Sequence, residues 1–539
     1  MRRSIDTRKL GGSWTLILLL LVGALYAAHK GQDAAWDLKN YHLYNAWAFL
    51  HGRLSIDLAP VGLQGFFNPL LDVPYFWLGV GPLHHWPRLL AAVQGLWYGA
   101  LAFVLLRVSV RLAEVRGRSY GVPDLLAVVI GITGTMAASQ AGTCTNEVPL
   151  ALLVVLGFYV LLPLCARDLP GHATRRVVVA GLLCGLAAGL KPTAVVFTPA
   201  MAVALWLALG ARTTAWRLSL IFTIVAFAAF LVAYGWWGLE LYKLTGDPVF
   251  PMFNQIFHSS WVPATAGTDR QFMPRGLLQW LFYPFYWIHK NHWQGGNTFA
   301  DARYAAAMIA AAILCALLLL QRSLQDQGSR SERFLLTFMV TGYVLWLLLY
   351  SILRYAVSLE VMTGLLIMVT VQRLTVHSLS TSQKPRLVLW SMVAIALLLI
   401  GSSRYPDWGH APFADVTFDV HPGTTVAPGS MVLVIGQPNS YLIPFFNAAQ
   451  EIKFVGITWL TSEAQQYRLG ELTRARVINH RGPLYAILRD VNGEDVAQLS
   501  RILPLEHLVQ CHRIASAMEQ TKRGTDLSDG LRICNVIRY

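Results

Sequence analysis

Charge is scarce in this chain. Only 13% of its 539 residues are Asp, Glu, Lys or Arg, against roughly 25% in an ordinary soluble protein. That shortage excludes a solvated globular architecture for most of the length. Cysteine is scarce as well. The six present form no CxxC pair, and no HExxH string occurs, so a structural zinc site has no support. No internal repeat stands out, and polar residues gather at the ends of apolar runs rather than in their middles, which argues against a transporter built from repeated halves. Acids are outnumbered, 29 against 43 basic residues, for a formal charge of +14. This excess does not indicate nucleic acid, because the basic residues sit mainly in short loops between apolar runs, where membrane topology requires them.

What is present is apolar. Hydrophobic residues make up 55% of the chain and mean hydropathy is +0.47. Runs of roughly 16–20 apolar residues separated by short Arg-rich loops indicate a polytopic helical membrane protein. They fall at roughly 13–29, 88–106, 122–141, 148–166, 177–190, 194–210, 218–237, 304–321, 334–350, 356–372 and 387–402, which makes about eleven spans. The opening MRRSIDTRK and the apolar run behind it imitate a signal peptide, yet a retained first helix is expected ahead of so many later spans. With the N-terminus in the cytoplasm, every cytoplasmic loop in this count is basic, from Arg107, Arg111, Arg116 and Arg118 to Arg373, Lys384 and Arg386. The outside turn 142–146 has no basic residue. This alternation is the positive-inside pattern, and it puts the C-terminus outside.

Past about residue 403 the pattern changes. Short apolar runs at 431–435, 452–457, 484–488 and 531–537 alternate with amphipathic stretches at 440–450, 461–476 and 494–502. Strand–helix alternation of this kind predicts a small α/β domain. The fold class is therefore mainly α: a membrane module over 1–402, with outside loops at about 30–87 and 238–303, and an extracytoplasmic α/β domain over 403–539. Cys511 and Cys534 lie in that domain and would pair as a disulfide in an oxidising compartment, the alternative being two free thiols. The aromatic run LLQWLFYPFYWIHKNHW in the second loop reads as an interface belt or a lid.

The chemistry is expected in the first outside loop. Residues 33–72 carry Asp33, Asp37, Lys39, Asn40, His42, Asn45, Arg53, Asp57, Asn68 and Asp72 among many aromatics, a composition that fits amphipathic pieces lying on the membrane surface. Asp37 follows the first span closely, and Glu147 opens the fourth span after the turn GTCTN. Two carboxylates at one membrane depth, from different loops, suit a general base and a polarising or metal-binding partner.

The strings DLKNYHLYNAWAFLHGRLSIDLAP, FFNPLLD, GDPVFPMFNQIF and ILRYAVSLE, with about eleven spans and an outside C-terminal domain, resemble the bacterial GT-C membrane glycosyltransferases. The resemblance covers the membrane portion only, and Asp37 is followed by Leu38 where several branches carry a consecutive acidic pair. It implies an inverting transfer of a sugar from a polyprenyl-phosphate donor to an extracytoplasmic glycan, lipid or protein, in the bacterial cytoplasmic (inner) membrane. Asp37 would be the base on the acceptor and Glu147 would orient acceptor or metal, with Mg²⁺ or Mn²⁺ left open. Arg354 and Lys191, cations at outer span ends, would take the phosphate, with Tyr355 adding a hydrogen bond. Asn40, His42, Asp269 and Arg270 are candidates for sugar or acceptor contacts, and Glu360 is expected to pair with Arg354. The other readings are a transporter or flippase, and an O-antigen polymerase or ligase of envelope assembly.

Overall fold

The structure, a computed structural model, describes residues 10–210, 212–267, 271–289, 292–294, 297–320, 328–378, 384–490, 493–502, 507–520 and 530–537. A long apolar segment in lipid can satisfy its backbone only within itself, and so it becomes a helix. Among the described residues eight helices are long and apolar enough to cross a bilayer: Ser13–Lys30, Pro87–Val115, Glu147–Cys165, Ala173–Leu190, Thr213–Thr245, Arg303–Leu320, Ser329–Leu349 and Pro385–Ser402. A pair bent by 45°, Leu353–Glu360 with Thr363–Thr375, makes a ninth, and Val122–Ile132 and Pro192–Ala208 are shorter apolar helices. These elements fall on the apolar runs read from the sequence. The chain is a multi-pass helical membrane protein. Lys191 and Pro192 separate two helices as expected, because a residue before proline is pushed out of helical geometry. The first two long helices touch through glycine: a Cβ on Gly23 would run into the backbone of Gly95 and Gly99.

The tail forms one five-stranded sheet in the order Lys453–Ile457, Met431–Ile435, Leu484–Leu488, Arg532–Ile537 and His507–Arg513. The first three strands are parallel and the last two antiparallel. Four of the five strands coincide with the apolar runs in the sequence. His507–Arg513 does not, since it is an edge strand, largely exposed and mostly polar. Cys511 and Cys534 are bonded across this edge pair.

The sheet is buried on both faces, which is where the structure departs most from expectation. Val432, Val434, Phe454 and Ile487 pack with Leu38, Tyr41, Tyr44 and Trp47 of the first loop. On the alternate positions, Leu433, Ile435, Val455 and Ile457 pack with Leu58, Leu63, Phe66, Trp237 and Trp261. Leu58 also extends the sheet: its N–H donates to Phe454 O and its carbonyl accepts from Gly456 N, both at 2.9 Å. Arg53 and Asp57 lock this junction. Asp57 accepts from Arg53 and from the Phe454 N–H, while Arg53 donates to the carbonyls of Gln450 and Ile452. The 33–72 stretch is thus wedged between tail and helices, with Trp36, Phe49, Leu50 and Ile56 left exposed. Its polar side chains tolerate burial because most of them meet partners inside the protein.

The aromatic run divides. Leu277 and Leu278 on the helix Leu277–Phe282 are exposed, whereas Trp287 is buried among Tyr283, Tyr304 and Trp346.

Candidate active site

Four charged side chains from four separate segments meet beneath the tail. Asp37 stands at the start of a single π turn, Leu38–His42, a wide turn of the kind often found at functional sites. Glu147 opens the helix Glu147–Leu161, where the positive end of the helix dipole favours a carboxylate. Lys191 follows the C-terminal end of Ala173–Leu190, where a cation is favoured. Arg354 lies in the tight turn Leu353–Ala356 of the bent pair.

They pair crosswise. Both terminal nitrogens of Arg354 face the Asp37 carboxylate, and Lys191 donates to Glu147 and to the Thr145 carbonyl, the latter at 2.8 Å. The Tyr355 ring lies between the cations, its centroid 5.3 Å from the Arg354 guanidinium carbon and 5.5 Å from Lys191 Nζ. Arg354 also covers Trp408, whose indole N–H donates to Ser139 Oγ at 2.8 Å. Burial pushes the Asp37 carboxyl up, but the neighbouring charges, that of Arg354 foremost and Lys191 with it, outweigh burial and hold the group below the usual carboxylate range. Burial, with Asp37 alongside, pushes the Tyr41 hydroxyl well up, so it keeps its proton.

Three bonds fix the turn that carries Glu147. The Cys144 N–H donates to Asp33 Oδ2 at 2.7 Å, Asn146 Nδ2 donates to Asp72 Oδ1 at 2.8 Å, and Lys191 holds the Thr145 carbonyl. Asp72 also faces His42 Nδ1 at 2.6 Å. Several buried polar atoms have no hydrogen-bond partner among the described residues: Arg354 Nε, Glu147 Oε2, His42 Nε2, Asn40 Oδ1 and Asn45 Oδ1. Such orphans are uncommon in folded proteins.

Comparison with solved structures gives the frame. Over 99% of this chain and 40% of the other, the structure matches the arabinofuranosyltransferase AftD from Mycobacteria at a TM-score of 0.50 and 14% identity. The chain shares the fold of this part of the arabinofuranosyltransferase. It is also similar to ArnT from Cupriavidus metallidurans. In the apo state that likeness has a TM-score of 0.47, with 11% identity over 96% of this chain and 97% of that one. With undecaprenyl phosphate bound to ArnT, the score is 0.48, with 12% identity over 97% and 98%. No family model matches the chain. No curated protein matches it either.

Within this fold Asp37, Glu147, Arg354, Lys191 and Tyr355 come together. His42 lies one π turn beyond Asp37. Asn40 is turned to Gln64, to which it donates at 3.4 Å. Asp269 and Arg270 lie outside the described residues. The expected Glu360–Arg354 pair does not form. Glu360 instead accepts from the backbone N–H groups of Met136 and Ala137, at 2.9 and 2.7 Å, and so caps the short helix Thr135–Ser139. The free N–H donors at the start of that helix compete for the Glu360 carboxylate, and Arg354 donates to Asp37 instead.

Sequence reasoning missed Asp33, Asp72 and Trp408 as supports. The two acids were visible only as members of a polar stretch, and nothing in the local sequence marks Trp408. A site for Mg²⁺ or Mn²⁺ does not fit the donors present. Asp37 and Glu147 each already face a fixed cation, and among the described residues no group of three His, Cys, Asp or Glu side chains converges.

Proposed function

We propose that the chain is an inverting glycosyltransferase that moves a sugar from a polyprenyl-phosphate donor to an extracytoplasmic glycan, lipid or protein. It works in the cytoplasmic membrane of a bacterium, with its N-terminus in the cytoplasm and its tail outside. Asp37 removes the acceptor hydroxyl proton as that oxygen attacks the anomeric carbon, and polyprenyl phosphate leaves with the bonding electrons. Glu147 orients the acceptor. Arg354, Lys191 and Tyr355 receive the departing phosphate, which is already a good leaving group and asks mainly for positioned positive charge.

The observation that carries this reading is the pair of buried carboxylate–cation contacts on either side of Tyr355, with Arg354 Nε and Glu147 Oε2 left over as one donor and one acceptor. A phosphate and a sugar hydroxyl suit those two atoms. The shared fold with an arabinofuranosyltransferase points the same way.

The test is transfer of labelled sugar from membranes containing lipid-linked donors, wild type against Asp37→Asn. The substitution keeps the size of the side chain and removes the base, and at equal expression the rate should fall about a hundredfold or more. Wild-type transfer by Asp37→Asn would remove Asp37 from the chemistry. Absence of transfer in the wild type with every lipid-linked donor would remove the glycosyltransferase reading and favour a transporter.

A further inference from the structure

His42 is built like a group that handles a proton. Its ring is 2% exposed. Nδ1 lies 2.6 Å from Asp72 Oδ1, a contact short enough to fix the ring and its tautomer. Asp72 is itself held by Asn146 Nδ2 at 2.8 Å, on the same turn that presents Glu147. The Tyr41 ring lies against the imidazole, 4.0 Å between centroids. Nε2, the nitrogen that remains, is buried and has no partner among the described residues.

This ring follows Asp37 by one π turn. A carboxylate paired with Arg354 is a poor place for a proton to rest: it accepts one in the transition state and gives it up at once. The pairing that keeps Asp37 charged gives a second acceptor on the same turn a use.

Resting on the glycosyltransferase reading, we infer that His42, oriented by Asp72, is a proton relay that takes the acceptor's proton from Asp37. In the balanced step the acceptor O–C1 bond forms and the C1–O bond to phosphate breaks. The lipid phosphate keeps that electron pair. The hydroxyl proton passes to the Asp37 carboxylate and on to His42 Nε2, and the resulting imidazolium is stabilised by the Asp72 carboxylate. Asp72 is a positioning residue in this scheme, and an oriented imidazole with a carboxylate behind it is a recurrent arrangement for proton transfer.

The experiment uses the full chain in membranes with a lipid-linked donor, comparing His42→Ala, His42→Gln and Asp37→Asn. The relay predicts that His42→Ala and His42→Gln lower kcat about a hundredfold, with donor KM unchanged. It also predicts that added imidazole restores transfer at least tenfold in His42→Ala and not in Asp37→Asn. His42→Gln retains an amide for Asp72 and guards against a variant that merely unfolds. Wild-type rates in either His42 variant, or losses that appear in KM and that imidazole leaves untouched, would overturn the relay. In that case a dead Asp37→Asn still leaves the glycosyltransferase reading standing. A wild type that transfers from no lipid-linked donor overturns both.

Discussion

Asp37 sits where an isolated carboxylate would lose its charge, and Arg354 is the largest of the influences that keep it ionised. Its carboxyl is lower in the folded chain than in the unfolded one, where the ordinary value is about 3.9. The pair's contribution to stability is therefore complete above about pH 4 and is lost as pH falls through the lower folded value. Between pH 5 and 8 the Asp37–Arg354 pair should add no slope to a melting-temperature profile. Replacing Arg354 with Gln removes the main opposing charge while burial persists, so the Asp37 carboxyl moves up. The acid limb of the residual pH–rate profile should shift to higher pH than in the wild type, and the fold should lose about 3 kcal/mol, as when one partner of a buried pair is removed. An unshifted limb would mean that Asp37 is not the titrating base. At this scale the sequence showed the charged residues but not their pairing. Asp37 and Arg354 are 317 positions apart. The nearer expectation, Glu360 with Arg354, failed because a helix start at 135–139 competes for the carboxylate.

The 33–72 stretch is an element whose composition was legible and whose place was not. Its mixture of charges and aromatics fits a membrane-surface segment and a largely buried wedge equally well, since hydropathy does not distinguish a solvated polar group from a partnered one. The tail strands were legible where they are apolar, and the polar edge strand His507–Arg513 was not. What ties loop and tail is a small ion network. Glu519 accepts from both Arg489 terminal nitrogens at 2.9 Å and from Tyr441 at 2.8 Å, and it faces Lys39 at 3.4 Å, two residues beyond Asp37. Burial pushes the Glu519 carboxyl up, but its bonds to Arg489 and the charges of Lys39 and Arg489 hold it below the usual range. This tie is present at neutral pH and is lost as pH falls below the ordinary glutamate value, about 4.3. Glu519→Gln should cost about 2 kcal/mol, discounted for the partial exposure of Arg489. It should also speed amide hydrogen exchange over residues 38–50. Unchanged exchange there would show that the network does not brace the Asp37 turn.

For the molecule as a whole, the early loop and the late tail form a single packed body over the membrane helices. Gln32 and Asp33 pair with Ala411 and His410, and Leu58 joins the sheet beside Val455. A chain ended at residue 402 leaves Leu38, Tyr44, Trp47 and Leu58 without their covering strands, so it should insert in membranes yet show no transfer and rapid proteolysis within 33–72. Full activity from that fragment would contradict the bracing role of the tail. The junction also has a consequence for biosynthesis. A ribosome delivers the Asp37 loop among the first hundred residues, while the strand that Leu58 extends arrives some four hundred residues later. At typical elongation speeds of about 5–20 residues per second, the loop waits tens of seconds for its partner. During that interval no nascent chain holds a finished site. Under the proposed function, a product truncated before these strands should be inert, and their completion should be the event that switches the molecule on.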